Sequence, residues 1–452
     1  MCGLVGSFRE DEKLVTTMLE RIKHRGPDGL GLSTHGDVVH GHVRLALVDL
    51  TNGSAQPFKH NGNTISFNGE IWNYRELKKN SNTSFSTTGD TEVLADQLDR
   101  FGLSCLDNLD GMFAFAWSGK NGEHYLVRDS FGKIPIYVAK TQNGYLWASE
   151  RKAFPQKVKP ISVPPGTAFD LNTGQWIKWY KQANHKQTTS EDVLELLDAG
   201  VKKRITADAP VCCLISGGLD SSIILALAKK HNKNVVAFTG VFDKDSEDLK
   251  SARNLCSEFE IELIEVPVEL SAELISQAIS CIEISSKAQI EIAMLCIPLA
   301  KRIYQEGFRA VLSGEAADEL FGGYGNFCIQ ASKTDSPGVV ALRKKQLEKM
   351  ARGNFIRCNK AFMSAGVECR LPFMEQELVE RVVLLDKEES PLNKKLLKQA
   401  GKDILPRWVI KRQKDTFQGG SGISHEMQTR LASPIIYYNS ELRKQYGYIP
   451  KD

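Results

Sequence analysis

The sequence predicts two units of different fold class: an α+β unit of layered antiparallel sheets flanked by helices over residues 1–182, and an α/β unit built on a parallel sheet over residues 190–452, its C-terminal part mostly helical. Three observations carry this expectation. Short β-prone runs punctuated by Asn-Gly pairs fill the first part, strands alternate with helices from residue 211 onward, and residues 181–190 between them are polar and aperiodic. In order, the β-prone segments are 43–50, 64–67, 112–117, 125–127, 134–139 and 145–148, and Asn-Gly at 52–53, 61–62, 121–122 and 143–144 turns the chain in hairpin fashion. Helices expected at 13–23 and 91–101 supply the flanking layers. Beyond the linker, strand 211–215 leads to helix 221–230, strand 235–240 to helix 248–259, and strand 261–266 to helices ending at 306, before a further strand at 309–313. Such alternation implies a mainly parallel sheet, whose ligands sit beyond the carboxyl ends of its strands.

Composition narrows the function. A chain of 452 residues exceeds what one core serves, and its 42% hydrophobic and 25% charged content is that of a globular protein. The net charge of +3, from 58 basic and 55 acidic residues, gives no electrostatic case for nucleic acid or an acidic membrane surface. Ten scattered cysteines without a CxxC pair point to reduced thiols and a cytoplasmic protein. Arg9, Glu10, Asp11, Glu12 and Lys13 interrupt the apolar start too early for a signal-peptide core, and no run reaches the length of a membrane span.

Cys2 stands second in the chain. If Met1 is trimmed, the thiol and a free α-amine share one carbon. With a pKa near 7.7–8.0, about 10% of an α-amine is neutral at pH 7, against about 0.04% of a lysine amine. The amine can then take the thiol proton and return it to a leaving group. The plain alternative is a buried apolar cysteine.

Two loops on the second unit carry nucleotide chemistry. SGGLDSS, residues 216–222, follows an apolar strand and opens a helix, which is the context of a phosphate cradle: glycines admit oxygens close to the backbone, and the helix start offers unpaired N–H groups. Its serine hydroxyls add donors, and Asp220 is suited to Mg²⁺. No GxxxxGK[ST] pattern occurs, so an ordinary P-loop is not supported. SGEAADELFGGY, residues 313–324, follows the 309–313 strand and should share that sheet edge, where Asp318 would partner Asp220 and Glu315 would lie near the reacting centre. A solvated acidic helix start is the alternative, which leaves the flanking glycines unexplained.

Together these motifs resemble the glutamine-hydrolysing asparagine synthetase family, which joins a class II glutamine amidotransferase domain to an ATP-pyrophosphatase-type synthetase domain. Cys2-Gly3 matches the nucleophile, residues 24–28 the HRGPD signature, residues 44–48 (RLALV) the glutamine-binding segment, and residues 68–70 the NGE motif. Gly89-Asp90, Arg128-Asp129, Gly132, Pro135 and Ala148-Ser149-Glu150 also fit, as do residues 366–370 with Pro372-Phe373, and Arg412-Gln413-Lys414. The resemblance implies an Ntn-hydrolase-like αββα sandwich followed by an adenine nucleotide α-hydrolase-like sheet. It implies a glutamine-dependent amide ligase that cleaves ATP to AMP and pyrophosphate and converts aspartate to asparagine with channelled ammonia. Cys2 would attack glutamine, Asn68 and the Gly69 N–H would form the oxyanion hole, Arg44 and Asp90 would hold the substrate's α-carboxylate and α-amine, and Leu45, Ala46, Leu47, Val48 and Glu70 would complete the pocket. ATP would lie against Leu214, Ser216, Gly217, Gly218, Asp220, Ser221, Ser222, Gly240, Ser313 and Gly314, with Mg²⁺ on Asp220 and Asp318 and Lys414 steadying phosphate charge. The expected partners are small molecules alone, in a cytoplasmic homodimer.

The chain departs from the family pattern in places. Ala316-Ala317 replaces Gly-Ser of the common SGEGSDE form, a conservative loop change on sequence grounds, and Lys394, Lys395 and Lys398 replace a more mixed pattern. Glu291 stands where the family usually presents arginine, and an acid there would repel the carboxylates of aspartate unless Lys287, Lys301 or Arg302 supplies the missing positive charge. The acceptor is therefore open between aspartate and another carboxylate, such as a modified amino acid, sugar acid or peptide. A third reading, a binding protein with a decayed site, has against it the intact Cys2, Asn68, Asp90, Asp220, Asp318 and Lys414.

Overall fold

The computed structural model describes residues 1–450 apart from 157, 185, 387, 390, 391 and 413–422. Two six-stranded antiparallel sheets form the first part. One has the order β10 (Ile161–Ser162), β8 (Tyr137–Lys140), β9 (Tyr145–Ala148), β1 (Gly3–Phe8), β3 (Val38–Arg44), β2 (Gly29–His35); the other has β12 (Trp176–Lys178), β11 (Thr167–Asp170), β7 (His124–Arg128), β6 (Gly111–Ser118), β5 (Asn63–Ile71), β4 (Phe58–His60). Leu4, Phe8, Val38 and Trp147 of the first sheet share a buried cluster with Met112, Ala114, Ala116 and Leu126 of the second. On the outer faces, the helix Glu12–Arg21 packs Val15, Met18 and Leu19 on Val5, Val39 and Val43, and the helix Asp90–Phe101 packs Leu94, Ala95 and Leu98 on Ile65, Phe67, Phe113 and Phe115. The layers run helix, sheet, sheet, helix, as expected.

Two expectations are corrected here. The strand expected at 43–50 ends at Arg44. Beyond it, backbone groups are spent elsewhere: the Ala46 N–H on Asp28 at 2.9 Å, and the Leu47 carbonyl on the N–H groups of Asp208 and Ala209 at 3.0 and 3.2 Å. The strand expected at 134–139 starts at Tyr137, because the Asp129 carboxylate accepts from the N–H groups of Phe131, Lys133 and Ile134 and fixes a loop instead. β1, unforeseen, is a fully buried central strand. Its glycines mask the apolar pattern that marks a strand.

The second part contains a five-stranded parallel sheet in the order β15 (Glu262–Pro267), β14 (Val236–Val241), β13 (Val211–Leu214), β16 (Ala310–Leu312), β17 (Glu368–Arg370). The chain runs outward from β13 to β15, then resumes on the other side with β16 and β17. The order therefore reverses between β13 and β16, the crevice where such sheets bind ligands. β17 was not foreseen, since Glu368, Cys369 and Arg370 lack any strand-like apolar pattern. None of the described helices is long and apolar enough to cross a membrane.

Candidate active site

Cys2 immediately precedes β1, which lies between β9 and β3, so the sheet fixes its position. Its thiol rests on the Leu45 backbone, accepting from the Leu45 N–H at 3.4 Å and lying 3.7 Å from the Leu45 carbonyl as donor. Burial pushes the Cys2 thiol up, against the opposing pull of the N-terminal ammonium, the Leu45 hydrogen bond and Arg44. A thiol held protonated needs a base to become a nucleophile. The Cys2 N–H donates to Asn68 Oδ1 at 2.8 Å, which turns the Asn68 amide N–H₂ away, 3.5 Å from Ser149 Oγ. That orientation presents a donor, as a developing oxyanion requires. The neighbouring Gly69 has φ of +149°, and a Cβ there would lie 2.0 Å from the Met112 carbonyl oxygen, so β5 and β6 admit no side chain at this point.

Arg44 closes β3, its guanidinium donating to the carbonyls of Thr51, at 2.7 Å, and Asp49. Asp90 opens its helix and accepts the Ile71 N–H at 3.0 Å; burial lifts its carboxyl to about 6. Leu45 and Leu47 are buried, while Ala46 and Val48 are partly exposed. Glu70 reaches the second part of the chain. Its carboxylate faces Arg370 of β17 at 3.5 Å, and burial, reinforced by Glu368, holds it well above the usual range.

At the second centre both predicted loops emerge at the strand-order reversal and touch: a Cβ on Gly314 would lie 2.8 Å from the Ser221 nitrogen. Gly217 has φ of +69°, and a Cβ there would meet the Asp248 carbonyl oxygen at 2.4 Å. The serine hydroxyls close the turn: Ser221 and Ser222 donate to the Gly218 carbonyl at 3.2 and 2.7 Å, and Ser221 Oγ accepts the Ser216 N–H at 3.1 Å. Leu214 ends β13, Gly240 lies in the adjacent β14, and Ser313 follows β16. These residues therefore converge on one edge.

Asp220 and Asp318 converge as well, on a residue assigned no role from sequence. Lys394 Nζ lies 2.7 Å from Asp220 Oδ2 and 2.5 Å from Asp318 Oδ1, and the two carboxylates hold its ammonium above the usual lysine range despite burial. The signal available was the lysine cluster at 394–398, which read as a change of composition only. Lys414 lies outside the described residues; Arg412, close by, donates to the Gly217 carbonyl at 2.7 Å and pairs with Asp248 at 2.5 Å.

Glu315 is held by the helix Asn354–Met363. Asn354 Nδ2 donates to its Oε1 at 2.7 Å, Arg357 pairs with its Oε2, and Arg357 also donates to Gln289 at 2.8 Å. The same helix reaches the first centre. Asn359 Oδ1 accepts from Arg25 at 2.9 Å, and Arg25 Nε donates to the Cys2 carbonyl at 2.9 Å. Sequence reasoning matched Arg25 to a signature without seeing this bridge.

Two further expectations change. Glu291 is fully buried in the helix Lys287–Gln305, but it does not stand as an uncompensated acid: Lys287, one turn earlier, pairs with it at 2.7 Å, and Ser424 donates to it at 3.0 Å. Its charge is answered locally, which removes the argument from repulsion. Ala316 is not a neutral replacement, because it adopts φ of +83°, where a Cβ costs roughly 1 kcal/mol relative to glycine.

Comparison with known proteins covers nearly the whole chain. The family profile described as "Glutamine amidotransferase domain" matches residues 1–203, and that described as "Asparagine synthase" matches residues 192–352 and 341–436. The chain is 29% identical over 505 residues to the asparagine synthetase [glutamine-hydrolyzing] of Zea mays, covering 99% of this chain and 85% of that one. It is 30% identical over 501 residues to asparagine synthetase [glutamine-hydrolyzing] 3 of Arabidopsis thaliana, covering 99% and 86%.

Proposed function

The chain belongs to the glutamine-hydrolysing asparagine synthetase family, and on that footing we propose that it makes asparagine from aspartate, taking nitrogen from glutamine and driving force from cleavage of ATP to AMP and pyrophosphate. We assign the amidotransferase to residues 1–182 and the synthetase to residues 190–452. The observation that carries the reading is the helix Asn354–Met363: through Asn359 and Arg25 it touches the Cys2 carbonyl, and through Asn354 and Arg357 it holds Glu315, so one rigid element spans both centres.

In this reading Cys2 is the N-terminal residue of the working enzyme. Its α-amine, on the nitrogen that Asn68 Oδ1 already holds at 2.8 Å, takes the thiol proton and returns it to the departing ammonia. The Asn68 amide and the Gly69 N–H receive the oxyanion, while Arg44 and Asp90 bind the α-carboxylate and α-amine of glutamine. Water then hydrolyses the thioester. On the synthetase side, the aspartate side-chain carboxylate attacks the α-phosphorus of ATP and pyrophosphate leaves. Ammonia then displaces AMP from the acyl-adenylate, with Glu315 placed to take a proton from the attacking nitrogen. Adenylylation is needed because a carboxylate oxygen is a poor leaving group and AMP is a good one.

Asp220 and Asp318 offer two hard oxygen donors at one point, now satisfied by the Lys394 ammonium, and this donor set fits Mg²⁺. Bound there, Mg²⁺ would neutralise charge on the phosphates, with Lys394 displaced onto the same phosphates. Lys414 belongs to this charge-steadying set by its motif. A cytoplasmic homodimer completes the family expectation.

Pyrophosphate release with ATP, Mg²⁺, glutamine and a panel of carboxylic acids tests the reading. Aspartate should give the highest kcat/KM; turnover of another acid with none of aspartate would overturn the acceptor. Cys2→Ala should lose glutamine hydrolysis and keep ammonium-driven pyrophosphate release, and a variant that still hydrolyses glutamine would remove Cys2 from its role.

A further inference from the structure

Met1 fills a closed space between the two halves of the chain and is 2% exposed. Its α-ammonium is ion-paired with Glu368, the first residue of β17, which is itself fully buried. Its sulfur faces the amide N–H₂ of Asn359, and the other end of that amide is taken by Arg25. The Met1 side chain belongs to the buried apolar cluster, and Cys2 follows it in the chain. Met1 thus occupies a polar-ended pocket directly beside the residue at which ammonia would be released.

Trimming empties that pocket. It carries the chain's α-amine one residue along, to the nitrogen beside Asn68, and leaves Glu368 with Arg370, a guanidinium that also faces Glu70. It also strips Asn359, 2% exposed, of the group its amide N–H₂ faces. Resting on the reading of Cys2 as an N-terminal glutaminase nucleophile, we propose that the space Met1 fills becomes, in the trimmed enzyme, a holding site for ammonia, with Glu368 and Asn359 as its binding groups.

The chemistry of the two groups suits this ligand. A carboxylate accepts from the N–H bonds of ammonia or ammonium, and an amide N–H donates to the lone pair of neutral ammonia. The pocket already binds an ammonium group in the untrimmed chain, which shows that its shape and charge accept one. Trimming leaves the Arg370 guanidinium on Oε1 of Glu368 and frees Oε2, the oxygen that held the Met1 ammonium, to accept from an N–H donor. The location also serves transfer. The helix that carries Asn359 also carries Asn354 and Arg357, which hold Glu315, so the pocket and the acyl-transfer centre are built on one element.

The test is the ratio of pyrophosphate released to glutamate formed at saturating glutamine, using full-length enzyme shown by mass spectrometry to begin at Cys2. Glu368→Gln should hydrolyse glutamine within about twofold of wild type while this ratio falls at least threefold, and saturating external ammonium should restore pyrophosphate release. Glu368→Asp should keep the ratio. An unchanged ratio in Glu368→Gln overturns the site, and so does a loss that saturating ammonium fails to repair, since that marks a structural defect. A second measurement needs no substitution: with ammonium as nitrogen source, wild-type chain retaining Met1 should show an ammonium KM at least threefold above that of trimmed chain, and equal values would also overturn the site. If trimmed wild type forms no glutamate from glutamine, the failure lies in the proposed function and not in the pocket.

Discussion

Glu319 lies in the short helix Ala317–Phe321, 5% exposed, with Tyr324 and Asn354 donating to its Oε1 at 2.7 and 2.9 Å. Burial, joined by the nearby Glu315, raises its carboxyl from 4.5 to about 7. The sign follows from proton binding. Between pH 4.5 and 7 the folded chain keeps a proton that the unfolded chain has released, so this group lowers stability as pH rises. At about 1.4 kcal/mol per pH unit the full effect is about 3 kcal/mol, of which about 2.5 kcal/mol develops between pH 5 and pH 8. Glu319→Gln keeps the Oε1 acceptor and abolishes the titration. Urea unfolding of wild type and variant, followed by far-UV circular dichroism at both pH values, isolates the term together with its coupling to Glu315 and Asp318, because groups outside that cluster cancel in the difference. The variant should gain about 2.5 kcal/mol on wild type in going from pH 5 to pH 8. A difference that stays constant within about 0.5 kcal/mol, or moves the other way, would refute the assignment of a buried, proton-holding Glu319.

Alanine at Asp220 or Asp318 removes one of the two carboxylates meeting at Lys394, and pyrophosphate release should fall by about 100-fold or more while glutamine hydrolysis continues; release at the wild-type rate in either variant would exclude that residue from the phosphate site. Glu291→Arg sets a second cation against Lys287 in a fully buried position, so it should cost about 3–5 kcal/mol of stability and yield no gain in aspartate turnover. Improved aspartate kcat/KM in that variant would reinstate the repulsion argument.

What the sequence determined by itself was whatever rests on local chemistry. Strand-to-helix alternation after residue 211 required a parallel sheet, and the glycines and acids of 216–222 and 313–324 marked its ligand edge, because backbone approach to phosphate demands particular residues at particular spacings. Cys2 was legible from its place second in the chain, and Asn68 and Gly69 through their match to a family motif. Tertiary structure decided what depends on residues far apart in the chain. β1 and β17 became strands through neighbours and not through their own patterns, since pairing and burial outweigh weak local propensity. Glu291, already within one helical turn of Lys287, gained Ser424 from 133 residues on, and Lys394 acquired its place when the fold brought Asp220 and Asp318, 98 residues apart in number, to one ammonium. The sign of a buried electrostatic interaction belongs to the set of charges around it, and that set exists only once the chain has folded.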